Sequence, residues 1–178
     1  MIEFEPQTHT YRVAGVVVPS VTQILDAAGD VSSFCRDELA AERGSRVHEA
    51  CALLATGKLD WSTVDSRIMG YVLSYQSFLG MVSKWELQGV ERRVYSPYGY
   101  AGTYDVDFDA ALIDIKTGAP VKWHELQTAA YAKAVGKTKR AALFLDKSGK
   151  SPRYVEHKSR TDWPEFLERV NKYHDNHG

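Results

Sequence analysis

Apolar residues recur at two different spacings along this chain, and the change of spacing predicts a change of structure. Thr8 to Val13 and Gly15 to Val18 carry short β-branched runs that predict strands. Pro19-Ser20 predicts a helix entry, with Ser20 as N-cap ahead of Val21, Ile24 and Leu25, and with Gly29-Asp30 as its end. From Phe34 to Leu54 the residues Leu39, Val47, Ala50, Leu53 and Leu54 fall at near-helical spacing, and Gly57 supplies a stop. Met69, Val72, Leu73, Phe78, Leu79 and Val82 predict another helix over 67–87.

From Gly89 onward the period falls to two. Gly89 to Tyr95, Tyr100 to Phe108 and Ala111 to Lys116 read as strands. Ser96-Pro97-Tyr98-Gly99 has the residues of a β-turn. The bend at Asp109-Ala110 is short enough to make its flanking strands antiparallel. Val121 to Val135 reads as a helix, Ala141 to Leu145 as an apolar strand, and Arg153 to His157 as an edge strand. A last helix is expected over Thr161 to His174, with Thr161 as N-cap and Pro164 in the first turn. This order implies an α/β fold in which helices flank a central mixed β-sheet.

The 178 residues suit one domain, expected as an N-terminal portion of strands and helices (1–87), a core sheet with its helix (88–160) and a C-terminal helix (161–178). A hydrophobic fraction of 44% and a charged fraction of 25% are ordinary globular values, which argues against disorder and coiled coils. No apolar run approaches the roughly 20 residues of a membrane span. The start, Met1-Ile2-Glu3-Phe4-Glu5, is acidic and unlike a signal peptide. Cys35 and Cys51 read as structural, too few for an iron–sulfur cluster or a disulfide framework. A cytoplasmic setting is the expectation.

The formal net charge of −1 hides an uneven distribution. Residues 1–115 carry −7, residues 116–160 carry +8, and the remainder carries −2. The basic block spans predicted helix and strand. It is either a wall for a phosphate backbone or a solvated surface.

Asp105, Asp107 and Asp109 alternate along one predicted strand and are expected on one face. Asp114 and Lys116 share a face of the next strand, while Ile113 and Ile115 point into the core. A hairpin can bring Asp105 or Asp107 beside Asp114. Two carboxylates about 4 Å apart repel by about 4 kcal/mol at an effective dielectric near 20, which a divalent cation relieves. Asp107 and Asp109 fit a solvated surface better than a site. His48 on a helix can serve as a ligand or as a core histidine. Gln127 and Tyr131, four apart, share one helix face. Tyr95, Tyr98, Tyr100 and Tyr104 surround the turn, where rings can stack unpaired bases or pack on neighbouring strands. Trp123 and His124 carry the same ambiguity. Gly102 and Gly118 are places where backbone can approach a ligand closely.

Taken in order, these residues resemble the PD-(D/E)xK nuclease superfamily, and most of all its RecB-like exonuclease branch. That branch shows Gly-x-x-x-His, Gly-x-x-Asp, Asp-x-Lys and Gln-x-x-x-Tyr on successive elements. This chain offers Gly44 to His48, Gly102 to Asp105, Asp114 to Lys116 and Gln127 to Tyr131, with Thr117-Gly118 directly after the lysine. Val18-Pro19-Ser20-Val21-Thr22 is similar to phage-type and mitochondrial genome-maintenance exonucleases. Tyr104-Asp105 stands where the superfamily name has Pro-Asp.

The resemblance implies a restriction-endonuclease-like core. It implies His48, Asp105, Asp114 and the Ile115 carbonyl as ligands of Mg²⁺ or Mn²⁺, and Lys116 as the catalytic lysine. Gln127 and Tyr131 would position substrate, with Tyr98 and Tyr100 as candidate base contacts and Glu91 as an accessory acid. No iron–sulfur cluster or nucleotide cofactor is expected, and there is no Walker A motif. The implied activity is a metal-dependent DNA exonuclease in phage or bacterial recombination or repair. By analogy, single-stranded ends are favoured over duplex ends, and a recombination or replication protein is a possible partner. Two alternatives stay open: a structure-specific or nicking endonuclease on the same site, and a DNA-binding accessory module without turnover.

Overall fold

The computed structural model describes residues 1–31 and 38–177. Cys35 lies outside the described residues. The chain opens with β1 (Ile2–Glu5), β2 (Thr10–Val13) and β3 (Val16–Val18), an antiparallel meander. The Ala14-Gly15 turn has both residues at positive φ, 50° and 82°, the backbone that tight hairpins require. Next come α1 (Val21–Ala27), α2 (Glu38–Ala55), a short 3-10 turn at Trp61–Thr63 and α3 (Met69–Met81). Ser20 caps α1 through a reciprocal bond pair with Gln23.

The second sheet has the order β4-β5-β6-β7-β8, formed by Leu87–Ser96, Tyr100–Phe108, Leu112–Lys116, Arg140–Phe144 and Arg153–Glu156. All neighbours are antiparallel except β6 and β7, which are parallel and joined through α4 (Trp123–Val135). The mixed sheet expected from the sequence is therefore present, with β8 at its edge. The chain closes on α5 (Asp162–His177).

The two faces of this sheet carry separate cores. On one, Val47 and Cys51 of α2 and Tyr71, Val72, Tyr75 and Phe78 of α3 meet Val106, Phe108, Ile113, Ile115 and Leu143. On the other, α1, α4 and α5 bring Val21, Leu25, Leu126, Ala130, Phe166 and Val170 against Tyr100, Tyr104 and Leu112. Each large apolar side chain buried this way contributes about 1.5–3 kcal/mol. Helix α4 is buried almost all round between sheet and helices, which its alanines permit. Across it runs a buried pair: Arg140 donates to Asp162 at 2.7 Å and also to Thr128 and the Glu125 and Ser159 carbonyls.

Several sequence expectations change. Leu39 and Leu53 of α2 are exposed, so the apolar stripe of that helix is Val47, Ala50, Cys51 and Leu54. Helix α3 ends at Met81 rather than running to Leu87, which begins β4, and Tyr71 and Tyr75 carry its buried face in place of Leu73. The meander gains β1, whose Ile2 and Phe4 alternate with Glu3 and Glu5. The basic block is neither a continuous wall nor a wholly solvated face, because Lys116, Lys122, Lys137, Arg140 and Lys158 each pair with a carboxylate.

Candidate active site

The site forms where β5 and β6 part. Their backbone pairing runs through Asp107–Leu112 and Val106–Ile113 and goes no further toward Asp105. The Asp105 carboxylate takes over at that point: its Oδ2 accepts the Ile115 N–H at 2.5 Å. Its other oxygen, Oδ1, lies 3.1 Å from His48 Nδ1 on α2. On the other side of Asp105, β4 is distorted. Glu91 lies between the Val90–Val106 and Arg92–Tyr104 pairs, and its φ of 48° departs from strand geometry. That turn of the backbone carries Glu91 into the cluster. Ligand atoms of His48, Glu91 and Asp105 all lie within 4.8 Å of one another.

Asp114 and Lys116 lie along β6, with Ile113 and Ile115 in the core as expected. Lys116 Nζ is 2.6 Å from Asp114 Oδ2 and donates to Gln127 Oε1 at 2.7 Å. Asp114 Oδ2 is short in distance to the lysine yet accepts no aligned hydrogen bond. The Trp123 ring centroid is 5.2 Å from the lysine nitrogen, and His124 follows it on α4. Burial, with the Lys116 ammonium, pushes the His124 imidazole down to about 3.

The charges in this cluster govern one another. Burial opposes a charged His48, but the Asp105 carboxylate overrides it and raises the imidazole to about 9. Burial would raise Asp105, and the His48 and Lys116 charges hold it below the usual carboxylate range. Burial and the neighbouring Asp105 hold Asp114 up at about 6 despite Lys116. Burial first, and then Asp105, raise Glu91 to about 7. Carboxylates crowded enough to retain protons near neutrality fit a divalent cation. One imidazole and the carboxylate oxygens of Glu91 and Asp105 form a donor set able to hold a metal ion.

The sequence-derived site residues separate into two groups. His48, Asp105, Asp114, Ile115, Lys116 and Gln127 come together, and Tyr131 packs beside them. Tyr131 is buried, and burial raises its phenol well above the usual value, against a hydrogen bond to Gln127. Gly102 makes room for it: a Cβ there would fall 2.5 Å from Tyr131 Cε1. The glycine thus serves a side chain of the chain itself rather than a ligand. Nothing crowds Gly118.

Tyr98 and Tyr100 belong elsewhere. Tyr100 is fully buried and donates its hydroxyl to the Ala130 carbonyl, so it offers no face to substrate. Tyr98 packs edge-on against Trp163 of α5, with Lys133 over its ring. The turn that holds it closes as expected, Gly99 N–H donating to Ser96 O, but it faces α5. Nor do the three aspartates share a face. Asp107 is buried and pairs with Lys137 at 3.0 Å. Asp109 lies beyond the strand end, where it accepts the Glu86 and Ala110 N–H groups. The distortion at Glu91 and the parting of β5 from β6 interrupt the regular alternation that would have aligned them. Cys51 is buried and its thiol is pushed up by that burial, as a structural cysteine should be.

A cavity of about 880 Å³ opens on the cluster. His48, Glu91 and Tyr131 form one wall, with Ser45, Glu49 and Lys58 along α2 and its end. Phe4, His9 and Tyr11 of the meander line it as well, with Thr103 and Arg93. The sequence reading missed this second wall. Its signal was the Ile-Glu-Phe-Glu alternation of β1, hidden within a stretch read only as acidic.

No family model matches the chain, and no curated protein is detectably similar to it in sequence. Among solved structures it is similar to an alkaline exonuclease, LHK-Exo, from Laribacter hongkongensis. The identity is 14%, the match covers 88% of this chain and 86% of that one, and the TM-score is 0.50. The same enzyme in complex with dAMP matches at 12% identity over 89% and 87% of the two chains, with a TM-score of 0.46. At such identities the likeness is one of fold: the chain has the α/β fold of the Laribacter alkaline exonuclease, as the PD-(D/E)xK motifs led one to expect.

Proposed function

We propose that this chain is a metal-dependent DNA exonuclease of the PD-(D/E)xK type, acting in phage or bacterial DNA recombination or repair. The observation that carries the reading is the convergence of His48, Asp105, Asp114 and Lys116 at the parting of two strands, on an exonuclease fold. His48, Asp105, Asp114 and the Ile115 carbonyl would hold Mg²⁺ or Mn²⁺, with Glu91 as a further carboxylate. Bound there, the cation would supply positive charge to the phosphodiester and lower the pKa of a water.

The remaining chemistry belongs to the side chains. Lys116, fixed between Asp114 and Gln127, orients the attacking water and donates to the charge that develops on the phosphate oxygens. The water oxygen bonds to phosphorus as the water gives up a proton, the bond from phosphorus to the bridging sugar oxygen breaks, and that oxygen takes up a proton as it leaves, so the net change is hydrolysis. Gln127 keeps the lysine in place, and Trp123 covers it. Tyr131 and Gly102 fix α4 against β5, so that Gln127 and Asp105 keep their spacing.

The test is a cleavage time course on end-labelled linear single- and double-stranded DNA beside closed circular DNA, with Mg²⁺, Mn²⁺ or EDTA. The Lys116→Ala protein runs in parallel. Loss of linear DNA with intact circles, dependent on metal and on Lys116, is the expected result. Cut circles would make the protein an endonuclease. DNA binding without cleavage under any condition would leave an accessory module and overturn the reading.

A further inference from the structure

The aromatic wall of the cavity has no part in the chemistry described above, yet it is built with care. Phe4 on β1 and Tyr11 on β2 stack with ring centroids 4.6 Å apart and tilted by 34°. His9 meets both rings edge-on, at 5.2 Å from Phe4 and 5.7 Å from Tyr11. It does so from a left-handed backbone, φ 49°, that a residue with a side chain rarely adopts. The Tyr11 hydroxyl is tied to Thr103 Oγ1 at 2.9 Å, which anchors the meander to β5 two residues before Asp105. The Arg93 guanidinium lies over Phe4 at 5.5 Å from its centroid. Tyr11 is buried, Phe4 half-buried and His9 exposed, so His9 and the rim of Phe4 are what the cavity sees.

An aromatic face and an arginine beside a phosphodiester-cleaving cluster point to one kind of occupant. An unpaired base presents a free π-face that stacks on aromatic rings and on guanidinium planes. A base inside a duplex has both faces covered by its neighbours. We propose that Phe4, His9 and Arg93 form a base-stacking subsite that seats one unpaired base of the strand being cut. The substrate is then a single strand or a frayed end. This rests on the proposed DNA exonuclease function, and it moves the stacking role from the Tyr98 turn to the meander.

The test separates the two claims. Binding is measured with a set of single-stranded oligonucleotides in which each of the last three nucleotides, from either end in turn, lacks its base. The Lys116→Ala background prevents cleavage. At one of these positions the intact oligonucleotide should bind between about 5- and 140-fold more tightly than its abasic counterpart. The preference should fall to within about two-fold in Phe4→Ala/His9→Ala and return in Phe4→Trp/His9→Ala. His9→Ala alone, at an exposed position, serves if the double variant fails to fold, and should weaken the preference at the same position. Tight binding with no abasic effect, or an effect that these variants leave intact, would overturn the subsite alone. Failure of the protein to bind DNA at all would overturn the nuclease reading and the subsite with it.

Discussion

Replacing Gly102 by alanine should damage this protein although the position lies in a strand, where alanine is ordinarily no worse than glycine. The added methyl would stand 2.5 Å from Tyr131 Cε1 and 3.4 Å from its Cζ. That first contact is far inside van der Waals range, and the ring it meets is buried between α4 and β5. One side must move. Overpacking of this kind costs about 1–3 kcal/mol. For a chain of this size each kcal/mol lowers the melting temperature by about 2–4 °C, so a loss of about 2–12 °C is expected. Gly44 supplies an internal contrast: a methyl there would lie 3.9 Å from Thr117 Oγ1, an ordinary contact, within a helix that favours alanine. Gly44→Ala should hold or raise the melting temperature. The cause can be isolated with Tyr131→Leu, which removes the ring. In a double-mutant cycle followed by urea denaturation, Gly102→Ala should cost at least 1 kcal/mol less in the Tyr131→Leu background. A coupling below about 0.5 kcal/mol, or a fully stable Gly102→Ala, would refute the steric argument.

The site yields further expectations. Asp114→Ala and Lys116→Ala should each lower cleavage more than about 100-fold while DNA binding largely survives, measured as single-turnover rates beside filter binding; wild-type-like rates would sink the assignment. Glu91 has a folded pKa near 7, above the unfolded carboxyl value, so the native state holds the extra proton between those values and stability falls as pH rises through that window. In EDTA, Glu91→Gln should therefore be more stable than wild type at pH 8 and equal to it near pH 4. The gap should be smaller than the roughly 1.4 kcal/mol per pH unit of a fully buried group, because Glu91 opens on the cavity. A pH-independent difference would refute the assignment. Arg140→Ala removes the close partner of Asp162, which is fully buried, and leaves it only the Lys122 ammonium at 3.7 Å; it should cost about 3–5 kcal/mol by chemical denaturation, and a loss under 1 kcal/mol would mean that the pair is not what joins β7 to α5.

Much of this arrangement was legible in the residues, for identifiable reasons. Strand β5 was delimited at Tyr100 and Phe108 because Gly99 and Asp109 punctuate a strongly alternating run. The Ser20 cap was visible because its chemistry is local. Asp114, Lys116, Gln127 and Tyr131 could be assembled because a strand period and a helix period each fix a face. What escaped depends on long-range geometry. Tyr100 looks like any tyrosine near a turn until α4 and α5 close over it. Asp107 follows Asp105 by two, and the period alone cannot know that Glu91 twists the neighbouring strand. Leu39 and Leu53 are apolar residues at helical spacing that face outward, and pattern cannot distinguish them from core.

The parting of β5 from β6 has one more implication. Residues gathered for chemistry usually weaken the protein that carries them, so removing one tends to make the scaffold sturdier at the expense of turnover. Glu91 conforms to that trade-off. Asp105 does not, because its carboxylate stands in for a missing rung of the sheet. Without it the Ile115 N–H would lose its acceptor in a buried setting, at a cost of about 1–3 kcal/mol. Evolution could not discard this residue cheaply even in a descendant that had given up catalysis. A silent relative would therefore be expected to keep Asp105 long after Lys116 had drifted, and the order in which the two decay would record whether the fold or the reaction was under selection.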